Sequence, residues 1–355
     1  MLIAFLLGLA HLTVDTASGV VLALGWPGLP TSQVLGFFLL YNLLAFAVQP
    51  LVGLFLDRWP VLRGAALLGL GLAAAALGLV GISPWAALLL TGLGNSLFHV
   101  SCGVIALAAT PGRAAGPGLL IGPGALGVLL GRSLGALGAP TVWPALGLLA
   151  LAGLPLLLLC WPPSPASGPL PPALARRPIE SGPWLLGGLL LVAIGCRALA
   201  GSAAGSFGAA ESAAALWLAL AACLGKSLGG IVADRWGWLP VSVLLLGLAA
   251  ASFSIAPDVL PVLACGVLCF QGVTGVTLAA LHRLWPRRPG LVFGLNCLVL
   301  FVGSLPLLLG LPGLAGHRGV LAGTSWAVVL LVGVALWRFP RSSSAPAGSA
   351  PAAAG

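Results

Sequence analysis

His11 and Asp15 stand four residues apart in a stretch that is otherwise mostly apolar, and Asn95 and His99 repeat that spacing in another. Residues i and i+4 share a helix face, so each pair forms one patch of hydrogen-bonding and titratable groups. A positive set, Arg132, Arg197 and Lys226, interrupts other apolar runs, and Asn42, Gln49, Gln271 and Asn296 add neutral amides. Histidine changes charge near neutral pH, and an aspartate beside a cation can exchange its proton for a contact. Arginine and lysine would attract the negative part of a solute. No nucleophile–base pair at an interface accompanies them, so handling of protons and small solutes is expected, not enzymatic bond-making.

The surroundings make these residues costly. Of 355 residues, 60% are hydrophobic and 6% charged, against roughly 25% charged in a soluble domain. Apolar stretches near 20 residues recur from Leu2 to about Arg338, each long enough to cross about 30 Å of hydrocarbon. A charge at the centre of such a span costs about 2.5–3.5 kcal/mol on insertion scales, so it asks for a reason. The pattern places spans at 2–24, 34–56, 61–81, 84–108, 115–139 and 142–161, then at 183–205, 212–234, 239–256, 258–284, 288–311 and 320–338. Residues 1–161 and 183–339 are thus expected to form two six-helix bundles. The Pro-rich segment 162–182 reads as an extended cytoplasmic linker and the Ser/Ala/Pro-rich 340–355 as a disordered tail.

The net charge of +9 does not point to nucleic acid, because its distribution follows the topology. Arg58, Arg63, Arg113, Arg176, Arg177, Arg235, Arg283, Arg287, Arg288, Arg338 and Arg341 fall in short segments that alternate with loops free of Lys and Arg. That is the positive-inside pattern; with an even number of spans, both termini belong in the cytoplasm of a multi-pass inner-membrane protein. Leu2 opens an apolar run without a positive n-region or a convincing cleavage site, so a first span is expected and not a signal peptide. The seven cysteines include no C-x-x-C and read as small packing residues, so no metal site and no cofactor are expected.

The chain also resembles itself. Gly53-Leu-Phe-Leu-Asp57-Arg58-Trp59 ends the second span and Gly230-Ile-Val-Ala-Asp234-Arg235-Trp236 the eighth; Gly118-Leu-Leu-Ile-Gly122 in the fifth is matched with Gly290-Leu-Val-Phe-Gly294 in the eleventh. Two halves in the same orientation, related by an axis along the membrane normal, are a transporter plan with the binding site between them near mid-depth. In the G-x-x-x-D-R element the glycine admits a neighbouring helix, the aspartate can face a neighbouring helix N-terminus, and Arg58 and Arg235 anchor the topology. The stripe Gly127, Gly131 and Gly135 lets two helices touch backbone to backbone, whether to slide or to pack.

The repeated Asp-Arg element resembles the loop motif of the major facilitator superfamily. Over residues 8–136 the first half resembles its fosmidomycin-resistance-like branch, through His11-Leu-Thr-Val-Asp15, Gln49-Pro50-Leu-Val-Gly53 with Asp57-Arg58, Gly92-Leu-Gly94-Asn95-Ser96-Leu-Phe98-His99 and Gly131-Arg132-Ser133-Leu134-Gly135. Val100 and Ser101 stand where that branch carries a proline and an acid, and Arg132 where a small residue is expected. The resemblance implies twelve transmembrane helices in two pseudo-symmetric bundles and proton-coupled efflux of a small molecule by a monomer in a bacterial inner membrane. Read with the residues, His11, Asp15, Asn95, His99, Arg132, Arg197 and Lys226 would line the substrate and proton pathway, Asp15 facing Arg197 across the axis. The surplus of cations favours an organic anion or zwitterion. The competing reading is a membrane scaffold or sensor that keeps the fold without transport.

Overall fold

The computed structural model describes residues 1–154, 158, 181–207 and 212–339, and among these there are helices and turns but no strand. The first half contains α1 (Leu2–Gly25), α2 (Thr31–Arg58), α3 (Leu62–Leu79), α4 (Pro84–Ala109), α5 (Ala115–Ala136) and α6 (Ala139–Leu151). The second contains α7 (Ser181–Phe207), α8 (Ser212–Trp236), α9 (Trp238–Ile255), α10 (Leu260–Leu284), α11 (Pro289–Leu308) and α12 (Arg318–Trp337). These helices fall where the apolar runs place them, each end within a few residues except the far end of the sixth, which lies outside the described residues. Residues 155–157 and 159–161 of the sixth span, 162–180 of the linker and the 340–355 tail lie outside the described residues, while 181 and 182, expected in the linker, already belong to α7.

An apolar outer surface surrounds an apolar core that encloses several charged groups, unlike a soluble protein. Leu51, Leu68, Leu151, Leu185, Leu244 and Leu330 are exposed and form the surface that meets acyl chains, while Asp15, Asn95, His99 and Arg197 are buried. Trp217 and Trp326 lie on the exposed face, and the Trp326 indole donates to Ser254 Oγ at 3.3 Å. In the first half α1 packs on α4 and α5, and α3 on α4; in the second, α7 packs on α11 and α12, and α9 on α12. The halves meet along two seams, α2 against α11 and α5 against α8.

Several helices are interrupted where the interior needs room. α5 breaks at Gly122–Pro123, because Pro123 has no N–H to continue the ladder. A π-helical segment, Leu43–Ala47, widens α2, and α10 breaks at Gly272–Val273. Pro306 lies inside α11, whereas other prolines open helices. Pro84, Pro261 and Pro289 sit in first helical turns, where the missing donor would be an orphan anyway.

The seams fix the register of the repeat. A methyl added at Gly53 would strike the Gly290 carbonyl, and one at Gly230 the Ala114 carbonyl. One at Gly294 would meet Gln49, four residues before Gly53, and one at Gly118 would meet Lys226, four before Gly230. Gly118 therefore corresponds to Gly294 and not, as the sequence match has it, to Gly290. The glycines recur along each helix, so a slide by one turn preserves the pattern, and only the contacts choose between the two registers. By the same reasoning Gly127 meets Leu12 and Asp15 in α1 as Gly303 meets Gly195 and Ala198 in α7. Gly131 and Gly135 also pack against α1. The 127–131–135 stripe is thus packing within the first half, and the seam uses Gly118 and Gly122.

Candidate functional site

Between the halves lies a cavity of about 470 Å³, within the range that holds small ligands. On α1 its wall runs from His11 and Asp15 to Leu22, and on α2 from Phe46 back to Phe38. It therefore extends from mid-depth toward the ends of the helices opposite Asp57 and Asp234.

Its first-half wall carries three side chains aimed at one another. His11 Nε2 lies 3.0 Å from Asp15 Oδ2, and His99 Nε2 lies 3.8 Å from Asp15 Oδ1 and in contact with His11 Nε2. The far nitrogen of each ring is committed: His11 Nδ1 is 2.9 Å from the Leu120 carbonyl and His99 Nδ1 2.8 Å from the Asn95 carbonyl. A carbonyl only accepts, so both Nδ1 atoms donate, and each neutral ring then turns a lone pair from Nε2 toward the other and toward the carboxylate. Three lone-pair atoms in contact need a positive charge among them. Asn95 supports the group from behind, its amide donating to Asp15 Oδ1 at 2.9 Å. Gly124, just past the α5 break, makes the space: a Cβ there would lie 2.5 Å from Asp15 Oδ2 and 2.7 Å from His11 Cε1.

The second-half wall is positive. Arg197 is 4% exposed, and its Nη1 is buried without a hydrogen-bond partner. Lys226 is half-buried, and Gln271 and Asn296 complete the polar lining. Arg132, on the first-half side, is exposed toward the α5 end away from the Asp-Arg elements. Asp15 and Arg197 share the cavity but do not pair; the recorded partners of Asp15 are His11, Asn95 and His99.

The Asp-Arg elements close the opposite end, and they do so across the seams. Asp57 accepts from Gly290 N at 2.8 Å and Leu291 N at 3.0 Å, at the start of α11. Asp234 accepts from Ala114 N at 2.8 Å and Ala115 N at 3.0 Å, at the start of α5. Each half thus holds a helix N-terminus of the other, where free N–H groups and the macrodipole favour an anion. Arg58 lies over the Trp59 ring at 5.9 Å.

Two expected residues are placed differently. Gln49 is fully buried at the α2–α11 seam, its amide nitrogen donating to the Ala45 carbonyl at 2.6 Å, and it does not line the cavity; the seam turns it inward to pack against Gly294. Asn95 stands behind Asp15, not on the cavity wall. Asn42 does line the cavity, with its amide on the Phe38 carbonyl at 2.8 Å. Sequence reasoning missed Tyr41, the only tyrosine of the chain, which lines the cavity with Ser18, Ser202 and Thr274. Its solitary occurrence was a usable signal; small hydroxyls are too common in membrane helices to give one.

Two six-helix bundles of one orientation, joined along two seams around a central cavity, define the major facilitator fold, and this chain has it. No protein-family model and no curated protein sequence matches the chain. Solved structures do. It is similar to FucP, a Major Facilitator Superfamily transporter in the outward conformation, with TM-score 0.66, 13% identity and coverage of 95% of this chain and 98% of that one; another FucP structure is of the E. coli fucose:proton symporter. It is similar to the human organic anion transporter MFSD10 (TETRAN), with TM-score 0.64, 18% identity and coverage of 94% and 97%. A bacterial homologue of the iron transporter ferroportin in an outward-facing state gives TM-score 0.59, 16% identity and coverage of 95% and 98%.

Proposed function

We propose that this protein is a secondary transporter of the major facilitator superfamily that moves a small organic anion or zwitterion by alternating access. The observation that carries the reading is Arg197: a buried guanidinium in the cavity wall with an unpartnered nitrogen. An uncompensated buried charge is expensive, and a carboxylate or phosphate from the cavity would satisfy it with charge-assisted hydrogen bonds. Lys226 lies on the same wall, and Arg132, nearer the mouth, would draw the anion in. The resemblance in fold to an organic anion transporter agrees with this.

The basic loops put the Asp57 and Asp234 end in the cytoplasm, with both termini there, in a bacterial inner membrane. The arrangement is then the outward-open state, and breaking both clasps while the halves rock would open the other side. Coupling would use the first-half cluster, where His11, Asp15 and His99 require a positive charge; a proton is the coupling ion that fits the resemblance in sequence, and export the direction. A scaffold without transport has no use for a cavity walled by a free arginine.

The test is binding and flux with purified protein in liposomes. Candidate carboxylates and zwitterions should raise the melting temperature of the wild type, and Arg197→Gln should remove that shift while the protein still inserts and purifies. Accumulation of the ligand found in this way should follow an imposed pH gradient. A ligand bound equally well by Arg197→Gln would refute the assignment.

A further inference from the structure

We infer that His11, Asp15 and His99 form a site for one divalent transition-metal ion of the zinc, cobalt and nickel class, entered from the cavity. The arrangement of their atoms, not their identity alone, carries this. The candidate ligand atoms all lie within 4.8 Å of one another, and all three residues are buried. Nitrogen and oxygen ligands about 2.0–2.2 Å from one tetrahedral ion lie about 3.3 Å apart. His11 Nε2 is 3.0 Å from Asp15 Oδ2 and His99 Nε2 is 3.8 Å from Asp15 Oδ1, so each ring faces one carboxylate oxygen at about that spacing, and a parting of the two rings would complete it.

The surroundings are those of a held metal site. A metal-binding histidine presents one nitrogen to the ion and donates the other N–H to an acceptor that fixes ring and tautomer. Both rings do so here, His11 to the Leu120 carbonyl and His99 to the Asn95 carbonyl. The carboxylate is oriented as well, by the Asn95 amide, so Asn95 positions two of the three ligands. Two imidazoles and one carboxylate are a donor set for borderline metals, whereas calcium and magnesium take oxygen ligands. The cavity offers the remaining coordination position, as in sites that exchange a ligand. Arg132, Arg197 and Lys226 face the same cavity and disfavour a bare cation there, so that position suits water or an anion.

A shared proton and a metal ion are alternative occupants of the same lone pairs, so binding of one displaces the other. The inference does not rest on the anion reading. Absence of metal binding would leave Arg197 and its ligand untouched, and loss of the anion site would leave these three residues in place.

The experiment uses the full chain in nanodiscs, its tag removed, stripped with a chelator and titrated with Zn²⁺ alone and with Co²⁺ alone. One ion per chain is expected, with the visible absorption of four- or five-coordinate Co²⁺. His317→Gln, at an exposed position that does not line the cavity, should keep the full stoichiometry. Asn95→Ala should lower the affinity about 10–100-fold, and His11→Gln or His99→Gln should lower it further. X-ray absorption of the zinc-loaded wild type should show two imidazole nitrogens, a readout that does not depend on any variant folding. No saturable binding by monodisperse protein, a zinc spectrum without imidazole, or equal affinity in His99→Gln would overturn the inference.

Discussion

The two halves repeat one backbone and divide the chemistry between them. Contacts at Gly127 and Gly303 superpose Leu12 on Gly195, so the position of Asp15 in α1 is held by Ala198 in α7. Contacts at Gly118 and Gly294 put Lys226 where Gln49 stands. At mid-depth the first half therefore presents lone pairs (His11, His99 and the Asp15 carboxylate), with its one cavity cation, Arg132, nearer the mouth, and the second presents cations, Arg197 and Lys226. What recurs is the seam, built from glycines and helix N-termini; what differs is every side chain that could meet a solute. A duplicated frame can serve two tasks because backbone packing constrains the glycines while the cavity leaves its lining free to differ.

The sharpest way to break that division is to remove the second half's charge. Arg197→Gln should abolish saturable anion binding, a loss of at least about 30-fold given roughly 2–5 kcal/mol for one partner of a buried charge pair, measured by ligand-induced stabilisation. Next comes the first half's charge. Asp15→Asn should end gradient-driven accumulation while exchange of labelled for unlabelled substrate continues; undiminished accumulation would remove Asp15 from coupling. If both variants lose binding alike and neither loses coupling alone, the halves do not divide the work.

The seams predict smaller effects of the opposite kind, on access instead of affinity. Gly53→Val would force the α2–α11 seam apart at Gly290, and Gly230→Val would do the same at Ala114. Either should lower labelling of a Ser202→Cys cavity reporter by an impermeant thiol reagent added outside. Labelling unchanged in both would mean that this seam does not control access.

The two clasps allow the finest comparison. Asp57 accepts two backbone N–H groups, whereas Asp234 accepts two and also the Trp238 indole at 2.9 Å. Arg283 stacks 3.9 Å over that indole and donates to the Gly112 carbonyl. With hydrogen bonds to a charged group worth about 1.5–3 kcal/mol each, Asp234→Asn should shift the same labelling ratio more than Asp57→Asn. Arg283→Gln should have the smallest effect of the three, because its contacts are partly solvated and screened. A larger effect of Asp57→Asn would mean that the extra contacts of Asp234 add nothing to closure.

Much of the fold was legible because its causes are local. The span of hydrocarbon sets the length of each apolar run, and the acidic residue after G-x-x-x could be matched with a helix N-terminus before any contact was known. The site was legible only in part. His11 with Asp15, and Asn95 with His99, are pairs within one helix, and the four-residue spacing is enough to find them. That the two pairs meet, and that His11 Nδ1 is tied to the Leu120 carbonyl so that both Nε2 atoms face Asp15, depends on how α1, α4 and α5 rotate against each other.

From sequence alone came lipid as the solvent, the spans, the repeat and the list of charged residues that must have a purpose. Tertiary packing alone decided which of them share a void. A helix turns 100° per residue, so an offset of one residue redirects a side chain: Arg197 corresponds to Val14 and not to Asp15, and shares the cavity without pairing. Such rotations are fixed by contacts between residues far apart in the chain, where a glycine meets a carbonyl of another helix, and no spacing within a single helix encodes them.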